Sequence, residues 1–160
     1  MSIRVGMGYD VHQFASGREC WIGGVKIDHD KGLLGHSDAD VLLHAISDAL
    51  LGALALGDLG DHFPDTDPKW KGANSKDLLK ACYQMVCDKG FKLLNVDSVV
   101  VCEAPKLKPH RDTIREGIAA LLKTDLENIS VKATTEEKLG YTGRGEGIKA
   151  LAYVAVEKTC

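Results

Sequence analysis

The stretch "ALAYVAV", residues 150–156, constrains this chain more than any other, because a strand that is apolar on both faces needs cover on both. Helices packed on the sheet can cover one side. A subunit interface is the expected cover for the other. With 160 residues the chain can bury one substantial core and is short for two ordinary domains, so residues 1–160 are read as a single domain.

Around that strand, period-two and helical patterns alternate. "IRVGMGYDVHQF" (3–14) reads as a first strand and "CWIGGVKI" (20–27) as a second, bulged or bent at Gly23 and Gly24. After a glycine-containing loop (31–40), in which Ser37 or Asp38 suits a helix cap, "ADVLLHAISDALLGALAL" (39–56) reads as a helix. Val41, Leu42, Ala45, Ile46, Ala49 and Leu50 form its apolar face, while Asp40, His44 and Asp48 recur every four residues along a polar stripe. "GDLGDHFPDTDPKWKGAN" (57–74) is rich in Gly, Pro and Asp and reads as a long loop, a kind that is often functional. "SKDLLKACYQMVCDKG" (75–90) is a second helix, capped by Ser75 and stopped by Gly90. A strand (93–104), a third helix (109–124), a further strand (129–135) and a last strand (147–157) follow, the last entered through "LGYTGRGEG". The alternation predicts an α/β or α+β class.

The formal charge of -3 offers no general attraction for nucleic acid or an anionic membrane. No apolar run approaches the roughly 20 residues that a membrane helix needs, and "MSIRVGMGYD" lacks the apolar core of a signal peptide. Five cysteines, Cys20, Cys82, Cys87, Cys102 and Cys160, contain no C-x-x-C pair and read as reduced thiols rather than as a disulfide framework or a zinc site. A cytoplasmic protein with neither nucleic-acid nor membrane partners is expected.

Asp10 and His12 stand two apart in the first strand, so both point to one face. His44 could supply a third ligand from the helix. One carboxylate and two imidazoles match a catalytic zinc site, whose fourth position stays open to water or substrate, with Asp48 as an acceptor that orients an imidazole. The plainer reading is a polar strand end and a hydrogen-bonded helix histidine. Gly6 and Gly8 suggest a dinucleotide fingerprint, but Val11 stands where its third glycine belongs and no helix follows, so that reading is rejected. In "YTGRGEG" the glycines expose amides, Arg144 offers a planar fork for phosphate and Glu146 could orient it; a flexible turn is the alternative. "KATTEEKLG" carries Thr134, Thr135 and Glu137, a set suited to phosphate oxygens and a hard cation, or else to a helix cap.

In this order "GYDVH", "GGVKI", "GLLGHSDADVLLHAISDALLGALALGDLGDHFPDTDP", "APKLKPH" and "VKATTEEKLGYTGRGEGI" resemble the 2-C-methyl-D-erythritol 2,4-cyclodiphosphate synthases over almost the whole chain. The resemblance implies one zinc ion per subunit on Asp10, His12 and His44, and substrate phosphates near His36, Ser37, Thr134 and Thr135. It gives the methylerythritol hydroxyls to Asp58 and Gly60, with Phe63, Pro64, Asp65 and Asp67 closing over them. Cytosine would lie against Ala104, Pro105 and Lys106, and Glu137 would hold magnesium or manganese on the diphosphate. His36 and Thr135 would stabilise the transition state in a cyclisation that releases CMP. The implied assembly is a homotrimer: each subunit has a mixed sheet covered on one face by helices, and the three sheets face a threefold axis with active sites shared between neighbours. An isoprenoid diphosphate could occupy an axial cavity near Tyr141, Arg144 and Glu146. Tyr141 departs from the usual Phe and adds a hydroxyl to that lining, and Lys108 is more polar than the cytosine segment leads one to expect. Two other readings stay open: a zinc phosphohydrolase giving linear products, and a trimeric binding module with structural zinc.

Overall fold

A computed structural model describes residues 2–159 of the chain. Cys160 lies outside the described residues. Strand β1 (Ile3–Ala15) opens the chain, followed by β2 (Cys20–Ile22), β3 (Val25–Ile27), β4 (Gly32–Leu33) and helix α1 (Val41–Ala53). Then come α2 (Leu59–His62), α3 (Ser75–Asp88), β5 (Phe91–Val101), α4 (Arg111–Leu121), β6 (Ile129–Thr134), α5 (Gly140–Gly143) and β7 (Gly147–Lys158).

Five strands form one mixed sheet in the order β4-β1-β7-β5-β6, in which only β5 and β6 run parallel. Helices pack on one face. From α1, Leu42, Leu43, Ile46, Leu50 and Leu51 are fully buried, each worth about 1.5–3 kcal/mol relative to exposure. They meet the inward residues of β7, namely Ile148, Ala150, Ala152, Val154 and Val156. The opposite face keeps an apolar surface. Val5 is 66% exposed and Met7 54%, and they stand with Ile3, Tyr9, Val11 and Tyr153 on the side away from α1. The doubly apolar "ALAYVAV" therefore has helical cover on one side only within this chain. Among the described residues, no helix is long and apolar enough to cross a membrane.

Five expectations need correction. "CWIGGVKI" is not one bent strand but a two-stranded hairpin, β2 and β3, because Gly23 and Gly24 take left-handed φ values of 61° and 77° and reverse the chain. Those two amides donate to Asp40, whose carboxylate also accepts from Leu43 N and so caps α1 in place of Ser37 or Asp38. Asp40 is wholly buried by this duty and belongs to no polar stripe. The cap of α3 is likewise Asn74 rather than Ser75. The loop 57–74 is more ordered than its composition suggests: it holds α2 and a 3-10 turn at Pro68–Trp70, each started by an aspartate cap, Asp58 and Asp67.

Candidate metal centre

Along β1 the helix-facing residues are Gly6, Gly8, Asp10 and His12. A Cβ on Gly6 would lie 1.9 Å from the Ala49 carbonyl oxygen, and one on Gly8 would lie 1.8 Å from that of Ala45. The bare glycines thus let α1 touch the strand backbone, and that approach carries His44 onto Asp10. His44 Nδ1 lies 3.0 Å from Asp10 Oδ2, His12 Nε2 lies 2.9 Å from the same oxygen, and the two ring nitrogens are 3.3 Å apart. One ligand atom from each residue falls within 4.8 Å of the others, and no second such cluster of three occurs among the described residues.

Proton bookkeeping tests whether these residues fit an ion. His12 Nδ1 lies 2.8 Å from the Leu34 carbonyl oxygen, which can only accept. Nδ1 therefore carries the proton, and in the neutral ring Nε2 turns a lone pair toward the Asp10 carboxylate. Two acceptors so close need a proton or a metal ion between them. With a proton rather than a metal ion in that place, burial still acts to raise the Asp10 carboxyl, but hydrogen bonds from the His12 and His44 rings outweigh it and hold the group below its ordinary 3.8. Burial alone would lower His12, yet the bond and charge of Asp10 lift it above 6.5. Both shifts mean that positive charge is favoured at the centre. The donor set fits a zinc-type ion with an open position.

Asp48 does not orient an imidazole. Its carboxylate accepts from Leu59 N at 2.7 Å and pins the start of α2. The far side of the His44 ring meets serines instead: Nε2 is 2.9 Å from Ser75 Oγ and 3.3 Å from Ser37 Oγ.

A cavity of about 250 Å³ opens beside the cluster, and His36, Ser37, Phe63 and Asp65 line it, together with Trp70 and Leu78, which sequence reasoning missed. Trp70 stands edge-on to Phe63 with ring centroids 4.9 Å apart. Asp58 and Gly60 flank Leu59, which lines the cavity, at the start of α2; Asp58 is engaged in a capping box with Asp61, and Asp67 is engaged with Lys69 N. Pro64 sits between these caps. Arg18, also missed, donates to the Ser37 carbonyl oxygen at 2.8 Å and fixes the loop that presents His36. Its only sequence signal was a lone cation in a turn.

The other expected residues stand apart. Register links Val11 to Lys149, Lys149 to Val101 and Val101 to Thr134, so at about 4.8 Å per strand Thr134 is roughly 14 Å across the sheet from the metal strand. Thr135 and Glu137 follow it, bonded to each other, and Glu137 belongs to no cluster of potential ligands. Ala104, Pro105 and Lys106 follow β5 on that distant side, next to a cavity of about 140 Å³ lined by Lys108, Arg111 and Lys132. Within one chain the cluster of Asp10, His12 and His44 and the segment 104–106 do not meet.

On the open face, a cavity of about 370 Å³ is lined by Val11, Gln13, Tyr141 and Glu146. Arg144 Nε donates to Glu146 Oε1 at 2.7 Å, so the fork is oriented by its carboxylate. The Tyr141 hydroxyl, 3.1 Å from that of Tyr9, is pushed up to about 12 by burial and by this neighbour.

Comparison with known proteins accounts for this arrangement. The model of the YgbB family matches residues 3–157. A 2-C-methyl-D-erythritol 2,4-cyclodiphosphate synthase of Burkholderia mallei is 59% identical over 156 residues, covering 98% of this chain and 96% of the relative. The bifunctional enzyme IspD/IspF of Erythrobacter litoralis is 55% identical over 98% of this chain, which spans 40% of that relative's length. Among solved structures, IspF of Plasmodium falciparum in complex with CDP superposes with a TM-score of 0.88 at 34% identity, covering 99% of this chain and 98% of its own. With nearly every residue from Ile3 to Glu157 inside that likeness, the chain belongs to the YgbB family, that of the 2-C-methyl-D-erythritol 2,4-cyclodiphosphate synthases.

Proposed function

We propose that this chain converts 4-diphosphocytidyl-2-C-methyl-D-erythritol 2-phosphate into 2-C-methyl-D-erythritol 2,4-cyclodiphosphate and CMP, a phosphorus-oxygen lyase step of the non-mevalonate isoprenoid pathway. Convergence of Asp10, His12 and His44 beside a cavity that His36, Ser37 and Asp65 share with Phe63, Trp70 and Leu78 carries the reading. An oxygen of the 2-phosphate forms a bond to the β-phosphorus, the bond from that phosphorus to the bridging oxygen breaks, and CMP leaves with the electron pair. The attacking phosphate is already an anion, so no general base is needed, and the main obstacles are disorder and charge repulsion. Zinc on Asp10, His12 and His44, with magnesium or manganese at Glu137, would supply Lewis acidity and neutralise phosphate charge.

The chain's own residues do the positioning. His36 and Ser37, on the loop that Arg18 holds, face the phosphates. Asp58, Gly60 and the segment Phe63–Asp67 flank the methylerythritol part. Ala104, Pro105 and Lys106 receive cytosine, Tyr141 and Arg144 lie beyond the phosphates, and Thr134 and Thr135 meet the diphosphate. CDP in the Plasmodium structure supports recognition of that half of the substrate. Holding reacting groups in line can supply roughly 7–11 kcal/mol in favourable cases.

A homotrimer reconciles the two separated halves, because a neighbour's cytosine side can then complete the metal side. The uncovered apolar face of β1 and β7 supports it. In that assembly the cavity beside Tyr141, Arg144 and Glu146 faces the axis, where an isoprenoid diphosphate would meet a wall made polar by the tyrosine pair. The four described cysteines are free, in keeping with the reducing cytoplasm proposed as its compartment.

Phosphorus NMR of the zinc- and magnesium-loaded protein with this substrate tests the reading. Equal amounts of CMP and a cyclic diphosphate are expected. A linear phosphate product would favour a hydrolase instead, and binding without turnover a capture module.

A further inference from the structure

Because Asn74 caps α3 by accepting from Lys76 N, the hydroxyl of Ser75 is free for tertiary use. Ser75 is 1% exposed and wedged between two other segments. Asp38, from the loop before α1, grips it twice: one carboxylate oxygen accepts from Ser75 N at 3.0 Å and the other from Ser75 Oγ. The same Oγ lies 2.9 Å from His44 Nε2.

A hydroxyl has one proton to give and a carboxylate only accepts. With that proton on Asp38, Ser75 Oγ must accept from His44 Nε2–H. The neutral ring is then unprotonated at Nδ1, which points at Asp10 Oδ2 and His12 Nε2. His12 is set the opposite way by the Leu34 carbonyl. Two imidazoles of opposite tautomer thus aim their lone pairs at one point, one by a backbone acceptor and the other by a side-chain relay.

We propose that Ser75, held by Asp38, is the positioning residue that fixes His44 in its Nε2-protonated form and aims Nδ1 at the ion. The proposal rests on the reading of Asp10, His12 and His44 as a metal centre. It adds a consequence: the relay joins α3, α1 and the loop carrying His36 and Ser37, so the phosphate-facing loop and the metal ligand share one anchor.

The test uses the full chain, with Zn2+ as the probe in competition with a chelator and nitrogen-15 NMR of the histidine rings in metal-free protein. His44 is expected to be protonated on Nε2 in the wild type. Ser75→Ala should weaken zinc binding by roughly 10–100-fold, the usual cost of losing a ligand's outer partner, and turn His44 into a mixture of tautomers. Asn74→Ala removes the α3 cap without touching His44, so it should lower the melting temperature and keep wild-type affinity. Wild-type affinity and an unchanged tautomer in Ser75→Ala would overturn the proposal, as would an Asn74→Ala variant that reproduced the loss by helix fraying alone. Should Ser75→Ala not fold, the wild-type spectrum decides: a His44 proton on Nδ1 overturns the role of Ser75. If the wild type takes up no zinc at all, the metal reading itself falls.

Discussion

On the helix side of β1 stand Gly6, Gly8, Asp10 and His12; on the other side, one residue away each time, stand Val5, Met7, Tyr9 and Val11. The first set has small residues where backbone must touch backbone and ligands where the helix opens onto a cavity. The second set is apolar and uncovered. One strand therefore carries two kinds of information at period two: how closely α1 can approach, which decides whether His44 reaches Asp10, and what surface is offered to another chain.

Gly8→Ala should break the comparison hardest. Its Cβ would overlap the Ala45 carbonyl oxygen, and since backbone cannot step aside we expect a loss beyond about 3 kcal/mol or outright misfolding in thermal melts. Met7→Ala, next door but facing outward, should move the melting of an isolated chain by no more than about 0.5 kcal/mol. Near-equal effects would contradict the assignment of faces.

Asp40→Ala comes next, at roughly 2–3 kcal/mol in urea unfolding, because it strips a helix cap and leaves the amides of Gly23 and Gly24 without their acceptor. Zinc at a hundredfold excess over its Kd should add about 2.7 kcal/mol, removable by EDTA, and the gain should vanish in Asp10→Asn. Val5→Glu sharpens the other face. It should leave the circular dichroism spectrum intact while sedimentation shifts from the proposed trimer to monomer, and turnover should fall with it.

The smallest effect is a slope. Burial raises the Asp40 carboxyl above 3.8, against the pull of amides from Gly24, Leu43 and Gly23. A raised folded value means that its contribution is full below 3.8 and is lost as pH rises through that folded value. Stability attributable to Asp40 should thus decline with rising pH in that window, and Asp40→Asn should flatten the decline.

Much of this was legible in the sequence. Period two placed Asp10 and His12 on one face, and helical spacing placed His44 on α1, since both patterns are local. What brings them together is not local. Gly6 and Gly8 fail the dinucleotide fingerprint on sequence grounds alone, but their role as the contact that seats α1 is visible only when the helix is opposite them. Asp40 was read as part of a polar stripe because spacing says nothing about the hairpin whose amides it serves. Ser75 was read as a cap because a serine before an apolar run is a cap more often than it is a tertiary anchor. Trp70 reaches the cavity from a loop and Arg18 reaches the Ser37 carbonyl from a turn, where no periodicity marks orientation.

The central claim is that lone pairs from both faces of the α1–β1 contact converge on one cation. Anomalous diffraction at the zinc edge from zinc-soaked crystals tests it most directly. One peak per chain, in contact with Asp10 Oδ2, His12 Nε2 and His44 Nδ1, is the predicted result; zinc bound elsewhere, or ligated through His44 Nε2, would contradict the account.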